Sequence, residues 1–195
     1  MKKELSEKEK ALLEAKERTV DEKLMAKARN SPIDEVIVLD NNWKSDIQKI
    51  FTLFRKVENL EDSFINPSRD AEDFLSMIWH KSQTSFDLPR EIQVIVDSNN
   101  KLFMNVGTPS FVSFSNQESS LKGMKLPIKC WIHTHPFGEA FFSHTDWTTL
   151  DTWKPMMESA IVLGNNQYWA FDLKTSVVKI VQFGVLQSPL NKEEE

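Results

Sequence analysis

Ile128-Lys129-Cys130-Trp131-Ile132-His133-Thr134-His135-Pro136-Phe137-Gly138-Glu139-Ala140-Phe141-Phe142-Ser143-His144-Thr145-Asp146 carries three of the four histidines of a 195-residue chain. Ile128 to Ile132 reads as a strand that ends at His133, and Pro136 stops it. In a strand, residues i and i+2 point to the same face, so His133 and His135 aim two imidazoles at one point. The loop Phe137 to Phe142 then returns the chain to Ser143 and Asp146. Trp147, Leu150 and Trp153 follow at helical spacing, which predicts a helix from Asp146 to about Met157 and puts Asp146 in its first turn. Two neutral imidazoles, one carboxylate and an open fourth position form the ligand set of a catalytic zinc site. A metal so held lowers the pKa of its water toward about 7 and polarises a carbonyl.

The flanking segments supply a mixed fold. Ala160 to Leu163 and Tyr168 to Leu173 read as strands joined across Gly164-Asn165-Asn166, and Val177 to Leu186 as one more strand or a short helix. On the other side, Ile92 to Val96 and Leu102 to Val106 form a hairpin around Asp97-Ser98-Asn99-Asn100. Phe111 to Phe114 reads as a further strand and Asn116 to Gly123 as a polar loop. Two amphipathic helices precede these strands. Ile47, Ile50, Phe51, Phe54 and Val57 carry the first, from Trp43 to about Val57. Ala71, Phe74, Leu75, Ile78 and Trp79 carry the second, with Ser68 or Asp70 placed to cap it. Glu35 to Leu39 reads as a short strand ahead of both. Strands and helices in this order make an α/β or α+β sandwich.

Residues 1–31 are different in kind, with nine Lys/Arg, seven Asp/Glu and no aromatic. Their interleaved charges predict a solvated helical extension, open to a protein partner, and Ser31-Pro32 marks the start of a domain over 32–190. The net charge of −5 argues against nucleic-acid binding, which needs a basic face. One cysteine excludes a disulfide framework and any zinc site built from several thiolates. No apolar run approaches the roughly 20 residues of a membrane span. The N-terminus lacks the apolar stretch of a signal peptide, so a cytoplasmic protein is expected.

The full string His133-x-His135-Pro136-x6-Ser143-x2-Asp146 resembles the signature of the JAMM (MPN+) zinc metalloproteases, the deubiquitinases and related isopeptidases. Trp131-Ile132-His133-Thr134-His135-Pro136, with Phe142-Ser143-x-x-Asp146 after it, looks most like the AMSH-type members. The likeness spans about residues 69–175. It implies an MPN-type fold, a mixed β-sheet sandwiched by helices, and one zinc on His133, His135 and Asp146. It also implies a glutamate at the start of the strand after the first family helix, and Glu91 matches; Glu58, Glu61, Glu118 and Glu139 are the competitors. The chemistry implied is direct water attack, with Glu91 moving the proton and the Ser143 hydroxyl donating to the oxyanion. The implied substrate is an amide or isopeptide bond at the C-terminus of a ubiquitin-like modifier. One position departs from the pattern: Gln93 stands where the family usually has a small glycine.

The other features have plainer readings. Ser143 also suits a helix cap, and Cys130 a buried apolar group rather than a nucleophile. His144 fits solvent or substrate contact, His80 a helix surface, and Trp131, Trp147, Trp153 and Trp169 a core. Phe137, Phe141 and Phe142 can either pack or grip a substrate tail. A second zinc lacks further His and Cys ligands. The deaminase pattern and the zincin His-Glu-x-x-His are both absent. The alternative to an enzyme is a catalytically silent MPN scaffold working through protein contacts.

Overall fold

A computed structural model of the chain describes residues 36–57, 68–108, 112, 121–165 and 167–182. The charged segment 1–31, most of Phe111 to Phe114, the loop before Leu121 and everything after Gln182 lie outside them, as do Glu58, Glu61 and Glu118.

Among the described residues, three helices pack on a six-stranded mixed sheet, an α/β architecture. Helix α1 is Trp43–Val57 and α2 is Arg69–Thr84. The strands are β1 (Ile92–Asp97), β2 (Leu102–Val106), β3 (Ile128–Thr134), β4 (Ser159–Gly164), β5 (Gln167–Asp172) and β6 (Val177–Gln182). Between β3 and β4 runs α3, His144–Trp153, continued by a single 3₁₀ turn, Lys154–Met156. The helix expected from Asp146 thus starts two residues earlier and tightens before Met157, with Pro155 inside the tight turn.

The sheet order is β2-β1-β3-β4-β5-β6. Only β3 and β4 run parallel, and the helical crossover between them supplies the long connection that a parallel pair needs. The alternation of each strand divides the core in two. Ile92, Val94, Val96, Cys130 and Ile132 join α1 and α2 in one cluster, where Phe51, Phe54 and Phe74 meet ring to ring. Ile95, Trp131, Ala160 and Val162 face the other way and join Leu150 of α3 and Phe142. Residues 91, 93, 131 and 133 therefore share the α3 face.

Glu35 to Leu39 is not a strand in its described part. Val38 makes a single bridge to Phe86, while Ile37 and Leu39 are exposed. The run is held instead by the end of α2, with Leu39 N donating to Ser85 O at 2.9 Å and Asp87 N to Ile37 O at 3.1 Å. Lys81 reinforces this corner: its buried ammonium bonds Asp40 and Asp46, each at 2.7 Å. Ser68, rather than Asp70, caps α2, accepting from Ala71 N.

Candidate metal centre

Three elements converge at the carboxyl end of β3. The first is β3 itself. His133 is 1 % exposed and His135 partly so; His135 N still donates to Leu163 O at 2.8 Å, so the β3–β4 ladder continues through it. Both rings are therefore held on the α3 face, their centroids 5.1 Å apart. The second is the N-terminus of α3. Ser143 Oγ accepts from Asp146 N at 3.2 Å, and Ser143 N donates to Asp146 Oδ2 at 2.7 Å, a reciprocal capping box. That box turns the Asp146 carboxylate back toward β3.

The result is a cluster in which one donor atom from each of His133, His135 and Asp146 lies within 4.8 Å of the others. His133 Nε2 is 3.2 Å from Asp146 Oδ1, and His135 Nε2 is 3.6 Å from Asp146 Oδ2. Ligand atoms at 2.0–2.1 Å from a tetrahedral ion stand about 3.3 Å apart, so these separations bracket the expected edge. Apart from this close approach to Asp146, neither buried ring nitrogen of His133 has a hydrogen-bond partner among the described residues. A buried imidazole without a partner is costly unless something else engages its lone pair. The donor set thus fits a divalent metal ion: two imidazoles and a carboxylate.

Protonation states agree. Burial pushes the His133 pKa down, against the pull of Asp146, so the ring is neutral and able to ligate. Burial works on Asp146 in the opposite sense, but the close approach of His133 and His135 outweighs it and holds the carboxyl well below the usual range.

The third element is the start of β1. Because β1 runs antiparallel to β3, with Gln93 opposite His133, its amino end lies at the carboxyl end of β3. Ile92 N donates to Thr134 Oγ1 at 2.9 Å across this junction. Glu91 is held in extended form by Thr108 O and Gly107 N, at 3.0 and 2.8 Å, and two residues before Gln93 it shares the α3 face. It is 8 % exposed; burial first, and the charge of Asp146 second, push its carboxyl up to about 8. Glu91 is thus a buried carboxyl that feels the charge of Asp146. Glu139, in contrast, is exposed in the loop.

The loop between β3 and α3 forms the rim. Phe142 is buried, in ring contact with Trp147 at 5.3 Å, while Phe141 is 48 % exposed with its ring edge-on to His135 at 5.0 Å. Trp147, expected in a core, is 36 % exposed beside it, and Trp153 and Trp169 are only partly buried; Trp131 is buried and stacks under His133 at 4.5 Å. His144 is exposed at the first turn of α3 and does not join the cluster, and His80 is half-buried on α2. Cys130 is buried on the opposite face, its thiol pushed to about 12, which suits no nucleophile.

Two contributors to the site have no clear mark in the sequence. Gly164, read as a turn residue, runs so close to the loop that a Cβ there would overlap the backbone of Glu139 and Ala140. Gln83 at the end of α2 donates to Pro136 O at 3.1 Å and ties the same loop from the other side.

No family model, curated protein or solved structure matches this chain. What stands on geometry alone is a mixed α/β domain with a buried His-x-His plus Asp site suited to a metal. Among the described residues, no helix is long and apolar enough to cross a membrane.

Proposed function

We propose that this protein is a zinc-dependent hydrolase of JAMM (MPN+) type, cleaving an amide or isopeptide bond at the C-terminus of a ubiquitin-like modifier protein. The observation that carries the proposal is the His133/His135/Asp146 cluster together with a buried Glu91 whose carboxyl is pushed up to about 8 by burial and by the charge of Asp146. A zinc ion on the three ligands supplies a Lewis acid and brings the ionisation of a water into the neutral range. Glu91 receives the proton of the attacking water and returns it to the leaving amine; positive charge at the three ligands eases its ionisation, and its burial keeps the proton close at hand. Ser143 Oγ accepts from Asp146 N, which leaves its hydroxyl proton to donate to the oxyanion that forms on the carbonyl. Phe141, exposed beside His135, and Trp147, exposed at the start of α3, offer an apolar lip for an extended chain. Residues 1–31 are proposed as a separate partner-binding segment.

The direct test is metal content. The parent and Glu91→Gln, purified without added metal, are expected to hold about one zinc each and His135→Ala little. A fusion of a ubiquitin-fold protein through its C-terminal tail is then cleaved by the parent and not by Glu91→Gln. A parent that takes up no zinc on reconstitution would overturn the reading.

A further inference from the structure

The antiparallel register of β1 and β3 sets Gln93 directly opposite His133, both on the α3 face and both buried, at 7 % and 1 % exposure. Trp131 stacks on the His133 ring, Phe142 lies 6.3 Å away, and β4 presents Val162 as its other cross-strand partner. None of these can accept a hydrogen bond in the ring plane. Asp146 and His135 lie on the Nε2 side, as members of the ligand cluster.

That leaves Nδ1. Among the described residues neither it nor Gln93 Oε1 has a hydrogen-bond partner, so the two are not bonded to each other in this arrangement. The two orphans are chemically complementary. An imidazole that gives its Nε2 lone pair to a metal carries its proton on Nδ1 and is a donor there; a carboxamide oxygen is a pure acceptor. Directly opposed residues on adjacent strands have Cβ atoms about 4.5–5.5 Å apart, a gap that a glutamine side chain spans.

We propose that Gln93 is a positioning residue of the metal centre, its Oε1 turning to accept from His133 Nδ1–H when the ion binds, so that the ring is fixed in the tautomer and orientation that present Nε2 to the ion. This rests on the metal-site reading above and adds a member to it. Metal-bound histidines generally donate their second N–H to a carboxylate, a carbonyl or water, and such partners set affinity as well as geometry. Here the partner is uncharged for a physical reason. Glu91 and Asp146 already place two carboxylates at this point, and the charge of Asp146 already raises Glu91. A carboxamide orients His133 without adding a third.

The test is zinc affinity by competition with a chromophoric chelator, together with long-range 1H–15N spectra of zinc-loaded protein labelled at histidine. Gln93→Met keeps the length and removes the acceptor; it is expected to bind zinc about 10- to 100-fold more weakly than the parent. The deshielded, slowly exchanging His133 Nδ1–H signal of the parent is lost with it. Gln93→Glu, which keeps an acceptor at the same reach, is expected to keep the Nδ1–H signal. If Gln93→Met does not fold, Gln93→Asn, too short by one methylene to reach Nδ1, is expected to show the same loss. Zinc affinity within about twofold of the parent in the folded variant, with the Nδ1–H signal unchanged, would overturn the assignment while leaving the metal site intact. A parent that binds no zinc overturns both, so the two failures are told apart by the parent alone.

Discussion

Replacing Glu91 with glutamine should make the metal-free protein more stable, and increasingly so as the pH rises. In the unfolded chain this carboxyl titrates near 4.5; in the fold, burial and the charge of Asp146 move it to about 8. The folded state therefore holds the proton more tightly than the unfolded state does. The sign follows: the stability contributed by the protonated group is fully present below about 4.5 and is lost as pH climbs through about 8. At about 1.36 kcal/mol per unit, the full loss is about 4–5 kcal/mol, some 3 kcal/mol of it already present at pH 7. The carboxamide of Glu91→Gln has no proton to lose and escapes this. His133, neutral through burial, and Asp146, held ionised, both lose stability on acidification instead, but variant and parent share those two titrations. Urea unfolding in the presence of a chelator, from about pH 5 to about pH 8.5, should thus show the variant-minus-parent difference growing by about 4 kcal/mol. Saturating zinc should flatten that growth, because positive charge at the cluster draws the Glu91 carboxyl back down. A difference that stays level within about 1 kcal/mol across the range would mean that Glu91 is solvated, and the argument for it as the proton carrier would fail with it.

Three further outcomes are expected. Ser143→Ala removes the acceptor for Asp146 N and should cost about 1 kcal/mol in thermal unfolding, while turnover of a cleavable conjugate falls about 10²–10³-fold with little change in KM; loss of stability alone would leave Ser143 a cap. Gly164→Val drives a side chain into the backbone of Glu139 and Ala140, so zinc affinity should drop as the loop that leads to Ser143 is displaced, read by the same chelator competition. Lys81→Met leaves Asp40 and Asp46 with only the exposed Lys49, on Asp46, as a cation and should destabilise by about 2–3 kcal/mol in urea titration, with zinc affinity unchanged because α2 packs on the opposite face of the sheet.

How much of this could be read in advance depends on which forces are local. The two long helices were legible because their apolar residues repeat at helical spacing, and Ser68 closes the start of α2 through its own side chain. What spacing did not reveal is the polar end of α2, where Lys81 is buried only because Asp40 and Asp46 arrive from elsewhere. The apolar run ending at Leu39 misled for the converse reason. Its residues have strand propensity, but a strand needs a free edge alongside, and here the neighbour is the turn after α2, which offers one bridge. Trp147 misled similarly: aromatic bulk suggests burial, yet the first turn of α3 lies at the rim of the sheet, and the ring covers Phe142 and Phe171 with one face in solvent.

The candidate site divides along the same line. His133 and His135 could be paired from sequence because period-two geometry lies within one strand. Glu91 lies 42 positions away and comes near only through the register of β1 against β3, a non-local fact that a single sequence does not encode in any short pattern. Asp146 is the instructive case, since the helix cap observed and the metal ligand proposed use one and the same carboxylate geometry. Oδ2 accepts the Ser143 N–H at 2.7 Å, and Oδ1 stands 3.2 Å from His133. The positive end of the helix favours the ionised carboxylate, and the cap fixes its rotamer. A ligand on a free side chain would lose rotamer freedom when the ion binds; one already held by its own helix start loses little. In the proposed site the spacing of Ser143 and Asp146 therefore serves both purposes at once, the cap holding the carboxylate that would ligate the ion.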